Sequence, residues 1–313
     1  MSASENRTAK NRVLKLSQIL LSKLHRPIRI PRYYNCNHTA DPPAAATARI
    51  MDDMTSDPPV VPHPDAQHPD ASIDVAHSLS YWNSVTPDVN GMLGGFPQTS
   101  RIDLQGSSNF LAKLRRGGKA ASKDALPLLG RVADCGAGIG RITRGLLLGV
   151  SERVDIVEPV QKFTDELAQS LEQDDDNKTQ GALGDIINLG LQDWVPEPAS
   201  YNLIWNQWCL GHLTDAQLVV YLQRCKQGLV KPTATTEGDA ATPRSSWIIV
   251  KENLSTDSKH RDIYDDEDSS VTRSDAKFRW LFQKAGLRIV ATELQKGMPR
   301  ELFPVRIYAL APE

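Results

Sequence analysis

Arg131-Val-Ala-Asp-Cys-Gly-Ala-Gly-Ile-Gly-Arg141 is the stretch that decides the fold. Val132, Ala133 and Cys135 read as a short buried strand and Ile142 to Leu148 as a helix, with Gly136, Gly138 and Gly140 between them. A strand that enters a helix through glycines leaves backbone N–H groups facing an open crevice, which a ligand can approach closely. The dinucleotide fingerprint G-x-G-x-x-G/A is the nearest template, but its third small residue falls at Arg141, so a nicotinamide reading fails by one position. The spacing is instead G-x-G-x-G, with Asp134 ahead of it. Glu158 closes the next apolar strand, Val154 to Val157, where an acid can grip two ribose hydroxyls. A plain glycine turn competes for the glycines alone; Glu158 in register weighs against it.

Outward from this stretch, apolar runs alternate with amphipathic ones. Strands are expected at 132–135, 154–158, 181–185, 201–208, 246–252, 287–294 and 304–310, and helices at 141–149, 160–172, 215–229 and 272–285. Such alternation needs right-handed crossovers and gives an α/β fold with a mostly parallel seven-stranded sheet. Only the turn around Gly297-Met-Pro299 separates the last two strands, which makes them an antiparallel hairpin. Tyr81-Trp82, the turn-rich segment 88–96 and a helix over 107–114 form an N-terminal helical cap on a domain spanning 77–313.

Residues 1–76 read as an extension. In 1–33, Arg7, Lys10, Arg12, Lys15, Lys23, Arg26, Arg29 and Arg32 face one acid, Glu5, and Val13, Leu16, Leu20 and Leu24 share a helical face that Pro27 ends. A mitochondrial transit segment, a surface-binding arm and a disordered tail all fit that composition. Residues 41–72, rich in Pro, Ala, Asp and His, read as disordered linker. Residues 117–124 read as a flexible connection, 231–245 as an exposed loop insertion and Asp174 to Asp176 as a solvated surface run.

A net charge of −2 over 313 residues argues against a chain built to grip polyanions. The four cysteines show no CxxC spacing, and three lie in apolar stretches, which favours reduced thiols over disulfides or zinc. No apolar run reaches membrane-spanning length, so no integral membrane protein is expected.

Ligands of an open α/β sheet bind beyond the carboxyl ends of the strands. That rule brings Leu191-Gln192-Asp193-Trp194, Gln207-Trp208, Gly211-His212-Leu213, Glu252-Asn253 and 265–270 to one rim beside the glycines. Each has a structural reading as well: His212 bonding a loop carbonyl, Asn253 forming a turn, Trp208 packing in the core, and the acids 265–268 complementing a helix N-terminus. No Cys/His cluster supports a metal and no G-x-S-x-G supports a serine nucleophile.

Tyr81-Trp82, Gly91-Met-Leu-Gly-Gly95, Asp134-Cys-Gly-Ala-Gly-Ile-Gly-Arg-Ile142, Gly190-Leu-Gln-Asp193, the segment 204–214 and Asp268-Ser-Ser270 together resemble the eukaryotic protein α-N-terminal methyltransferase family. The resemblance covers roughly residues 78–312. It implies a class I, Rossmann-like methyltransferase that uses S-adenosyl-L-methionine to methylate the α-amino group of proteins beginning X-Pro-Lys or X-Pro-Arg once the initiator methionine is gone. Ribosomal proteins are then expected targets, with no nucleic acid partner, a monomeric enzyme and a cytoplasmic location, nuclear as well, or mitochondrial if residues 1–33 direct import. By resemblance Gly136, Gly138, Arg141, Glu158, Leu191, Gln192 and Gln207 hold the cofactor. Trp82, Leu93, Trp208, Asp265 and Ser270 bind substrate, and Asp268, His212 and Asn253 are catalytic. Two positions depart from the family: Glu158 where Asp is frequent, and Phe303 where Tyr is common.

An α-amino group has a pKa near ~7.7–8.0 and needs a base at neutral pH. Asp268 and His212 are the candidates, Asn253 can orient the amine, and Trp82 with Trp208 can stack on a second-position proline. The rivals are a small-molecule amine methyltransferase, which needs a closed pocket, and a cofactor-binding scaffold, which needs neither His212 nor Asp268. An RNA-directed enzyme would use the basic arm, but the folded part lacks basic clusters interleaved with aromatics.

Overall fold

The computed structural model describes residues 68–117, 126–173, 180–231 and 246–313. The basic arm, nearly all of the linker, the acidic run at 174–176 and almost all of the 117–124 and 231–245 segments lie outside the described residues. The described residues all belong to one compact unit.

Nine strands are found among the described residues: β1 (Leu129–Cys135), β2 (Ser151–Val157), β3 (Ala182–Ile187), β4 (Leu203–Gln207), β5 (Trp247–Asn253), β6 (Ile263–Asp265), β7 (Ser270–Thr272), β8 (Leu287–Leu294) and β9 (Val305–Pro312). Seven form one sheet in the order β3-β2-β1-β4-β5-β9-β8, parallel except for β9, which runs antiparallel to both neighbours. The expected sheet and its C-terminal hairpin are therefore present. Every residue of β4 is buried, as the continuous run Leu203-Ile-Trp-Asn-Gln207 requires of a strand covered on both faces. Strand order reverses between β1 and β4, which opens a crevice beyond their carboxyl ends.

The helices are α1 (Val75–Ser84), α2 (Val89–Met92), α3 (Ser100–Arg115), α4 (Arg141–Gly145), α5 (Gln161–Glu172), α6 (Asp215–Gly228) and α7 (Asp275–Lys284). On one sheet face Tyr221 and Leu222 of α6 pack with Phe278 and Phe282 of α7. On the other, Phe110 and Leu111 of α3 pack with Ile142 and Leu147. Full burial of such side chains contributes about 1.5–3 kcal/mol each, so the two cores hold the sheet on both sides.

Three expectations need correction. The helix over 141–149 is interrupted: α4 ends at Gly145, Leu146 leaves helical geometry, and a 3-10 turn follows at Leu147–Gly149. A Cβ on Gly145 would lie 2.7 Å from Leu104, so α3 packs against the helix there. The acids at 265–268 do not start a helix. Asp265 pairs with Ser270 across the β6–β7 hairpin, and its Oδ1 accepts the Glu267 N–H at 3.0 Å, folding the run into the turn. Helix α7 starts only at Asp275, capped by the Ser274 hydroxyl. Order also begins before 77: a 3-10 turn occupies Pro69–Ser72, and Asp74 caps α1 by accepting the N–H groups of Ala76 and His77.

Candidate active site

The glycine loop has the shape the sequence implies. Gly136 and Gly138 have φ of +65° and +55°, a region costly for any residue with a Cβ. A Cβ on Gly136 would lie 2.3 Å from that of Cys209, and one on Gly138 would lie 2.7 Å from the Met92 sulfur. The bare backbone is therefore required twice, by the β4 loop and by the cap.

A cavity of about 410 Å³ lies over this loop. Gly136, Gly138, Arg141, Glu158, Leu191, Gln192 and Gln207 all line it, so the seven expected cofactor residues converge. Glu158 is buried, and its carboxylate accepts the N–H groups of Gly138 and Val160, both at 2.9 Å. Burial outweighs those bonds and pushes its pKa up to about 7. Asp134 is buried too, at about 6 for the same reason, and accepts the Thr143 hydroxyl at 2.6 Å. Gln207 lines the cavity, but its amide is engaged elsewhere: the NH₂ donates to Asp103 and the oxygen accepts the Trp205 N–H.

A second cavity, about 250 Å³, adjoins the first. Trp82, Leu93, Trp208, His212, Asn253, Asp268 and Ser270 all line it, as does Phe303. Asp265 does not; it lies exposed on the β6–β7 hairpin. Trp82, Met92, Trp208 and His212 face both cavities and form the wall between them. Among the described residues, five buried side-chain polar atoms lack a hydrogen-bond partner, and two of them are Nε1 of Trp208 and Oδ1 of Asp268. Buried polar atoms are rarely left so, and here both belong to residues of the smaller cavity.

The cap presents His212 with two partners from one helix. Trp82 Nε1 donates to His212 Nε2 at 3.1 Å, and Ser78 Oγ lies 3.0 Å from Nδ1. An indole N–H only donates, so Nε2 is an acceptor and the neutral ring carries its proton on Nδ1. Burial lowers the His212 pKa, opposed by the nearby Asp268. The Asp268 carboxyl is raised by burial, opposed by its bond to Ser270 and by His212. The loop carrying His212 is braced by buried Arg273, which donates to the carbonyls of Leu210 and Leu213.

Trp208 is held at φ +54°, a strained conformation for a bulky residue. Buried Glu252 enforces it by accepting the N–H groups of Cys209 and Leu210 at 2.9 and 3.0 Å. Burial pushes Glu252 up to about 7. Sequence reasoning placed Glu252 on the rim but gave it no role. Ser78, Asp103 and Lys251 are absent from the expected site residues, and Met92 enters only within the Gly91-Met-Leu-Gly-Gly95 motif. Two signals were available: Lys251 interrupts the apolar run of β5, and Asp103 falls on the buried stripe of α3 with Ser107, Phe110 and Leu111.

A crevice where strand order reverses, a glycine loop at the mouth of β1 and an acid at the end of β2 define an S-adenosylmethionine-dependent methyltransferase. The profile of the family described as AdoMet dependent proline di-methyltransferase matches residues 70–311, and the chain belongs to that family. "Alpha N-terminal protein methyltransferase 1" of Schizosaccharomyces pombe is 44% identical over 241 residues, covering 75% of this chain and 94% of the relative. "N-terminal Xaa-Pro-Lys N-methyltransferase 1-A" of Xenopus laevis is 39% identical over 232 residues, covering 74% and 92%. A solved SAM-dependent methyltransferase from Leishmania major superposes with a TM-score of 0.62 at 35% identity, covering 75% of this chain and 82% of that one. The 1,6-didemethyltoxoflavin-N1-methyltransferase of Burkholderia thailandensis, at 16% identity and a TM-score of 0.54, shares the fold.

The residues present fit the cofactor. Gly136 and Gly138 offer a cradle that a Cβ would disturb, Glu158 offers acceptors for ribose hydroxyls, and Arg141 offers a guanidinium for a carboxylate.

Proposed function

We propose that this enzyme methylates the free α-amino group of proteins whose exposed N-terminus reads X-Pro-Lys or X-Pro-Arg after removal of the initiator methionine. The shared wall carries the reading. Trp82, Met92, Trp208 and His212 border both cavities, so a methyl donor in the larger one faces an amine in the smaller. The names of the fission yeast and frog relatives support protein N-termini as the substrate class.

Bound S-adenosylmethionine supplies a methyl group already activated on a sulfonium. The chain's own residues have to place the amine, strip its water and take its proton. Asp268 takes the proton: its Oδ1 is buried without a partner beside the cavity, and burial raises its basicity. Asn253, at the end of β5, orients the amine. Trp82 and Trp208 wall the slot for the proline ring, which docks at low entropic cost. Asp265, exposed on the hairpin, receives the third-position cation. Glu158 takes the ribose hydroxyls and Arg141 the cofactor carboxylate, with Gly136, Gly138, Leu191 and Gln192 completing the cradle.

Ribosomal proteins are the proposed targets, and a cytoplasmic monomer the proposed form, with nuclear or mitochondrial residence as alternatives. A reporter fused to residues 1–40 separates the locations. The activity is tested by transfer of labelled methyl groups to peptides differing only in their first three residues. Methylation confined to X-Pro-Lys and X-Pro-Arg supports the reading; equal use of free small amines replaces it with a small-molecule methyltransferase.

A further inference from the structure

Beside the cofactor cavity lies an ionic cluster whose members, apart from Arg141, are fully buried. Asp103 of α3 accepts from Arg141 at 2.7 Å and from the Gln207 amide at 2.9 Å on each carboxylate oxygen. Lys251 of β5 lies 2.5 Å from the same carboxylate. The side chains of Asp103 and Lys251 are both 0% exposed. Lys251 also donates to the Asp103 carbonyl at 3.1 Å, Ser107 Oγ at 2.8 Å and Gln295 Oε1 at 2.9 Å. Arg141 alone of the two cations reaches the cavity, with its guanidinium over the Trp208 ring at 5.3 Å.

One carboxylate thus meets two cations. With Arg141 alone opposite Asp103, the pair would sum to zero and hold little attraction for a ligand anion in a site of low dielectric. Lys251 offsets Asp103 from behind, and the cluster keeps one net positive charge, displayed on Arg141. A buried lysine is costly unless paired, and the complete set of acceptors around Lys251 shows how it is accommodated.

We infer that Lys251 and Asp103 are positioning residues of the cofactor site: Asp103 aims the Arg141 guanidinium, and Lys251 cancels the Asp103 charge so that Arg141 attracts the cofactor's carboxylate. This deepens the proposed function and rests on the reading of Arg141 given there.

Calorimetry on the full chain tests it with two ligands, S-adenosylhomocysteine and 5′-methylthioadenosine, which keeps the nucleoside and thioether but lacks the amino-acid end. Arg141→Leu weakens the first and spares the second; equal losses would mean that Arg141 does not meet the carboxylate, and the underlying reading fails. Lys251→Met weakens S-adenosylhomocysteine at least ~10-fold and changes 5′-methylthioadenosine less than ~2-fold. The double variant Asp103→Asn with Lys251→Met restores most of the loss, because neither buried charge remains. Where Lys251→Met alone does not fold, the charge-balanced double variant decides: binding close to the parent supports the inference, and binding as weak as that of Arg141→Leu overturns it. Equal losses for both ligands in Lys251→Met, with Arg141→Leu still discriminating, also overturn it.

Discussion

The indole N–H of Trp82 occupies the Nε2 lone pair of His212 at 3.1 Å, so the imidazole's only free basic site is already taken by the cap. Ser78, one turn earlier on α1, meets the other nitrogen. His212 therefore accepts from Trp82 on Nε2 while burial lowers its pKa, and Asp268 keeps an oxygen without a partner.

The two candidate bases are therefore expected to separate kinetically. Asp268→Asn keeps the shape and removes the proton acceptor, and kcat at neutral pH falls by ~10²-fold or more. His212→Gln keeps an acceptor for Trp82 and costs far less in kcat, its loss showing mainly in KM for the peptide. Steady-state kinetics on an X-Pro-Lys peptide decides; equal kcat losses would return His212 to the role of base.

Buried acids give the ligand-free enzyme a pH-dependent stability of definite sign. Burial raises Asp134 to about 6 and Glu158 and Glu252 to about 7. Between roughly pH 4 and 7 the folded state holds protons that the unfolded chain has released. Stability fully present below that window is lost as pH rises through it, by up to ~3 kcal/mol per glutamate. Glu252→Gln keeps an oxygen for the N–H groups of Cys209 and Leu210 and flattens the dependence. Urea titrations at pH 5 and 7 measure both slopes; an unchanged slope would show that Glu252 ionises normally.

Cofactor binding is expected to run the other way. Glu158 accepts ribose hydroxyls best when ionised, so affinity for S-adenosylhomocysteine rises up to ~10-fold per pH unit until about pH 7. Glu158→Gln removes the dependence along with part of the affinity. Calorimetry from pH 5.5 to 8 reads it, and a flat profile in the parent would place the ribose elsewhere.

The proposed reader of the third substrate residue is Asp265, exposed at the end of β6. Replacing the peptide's Lys with Glu nearly abolishes methylation through like-charge contact. Asp265→Lys lowers activity on the Lys peptide and partly restores it on the Glu peptide. Without that exchange of preference, the third residue is read by another group.

Truncation is expected to have a sharp edge. Removing residues 1–67 is expected to leave folding and catalysis intact, because their sequence supplies no face of the sheet's core. Removing residues 1–74 takes away Asp70, which accepts the Asp215 N–H at 2.9 Å, and Asp74, whose cap on α1 is worth ~1 kcal/mol and whose N–H donates to Ser269 at 2.7 Å. Thermal melts and peptide methylation of both truncations test this; loss of activity in the shorter deletion would make the basic arm part of the enzyme.

The local pattern of residues determined the sheet, the glycine loop and the acid at the end of β2, because strand burial and glycine backbone freedom are properties of neighbours in sequence. Trp82, His212 and Asp268 were legible as candidates for a related reason: each sits where a strand or cap element ends on the rim, and the fold brings all three to one cavity. Only the tertiary structure decided which partners those residues meet. The tautomer of His212 depends on an indole 130 positions away, and the charge shown by Arg141 depends on Asp103 and Lys251, brought from a cap helix and a central strand. The acids at 265–268 were misread because Asp and Glu suit a helix start and a tight turn equally, and the choice fell to the pairing of Asp265 with Ser270. Hydrogen-bond partners and buried charge balance arise between distant segments, and no local periodicity encodes them.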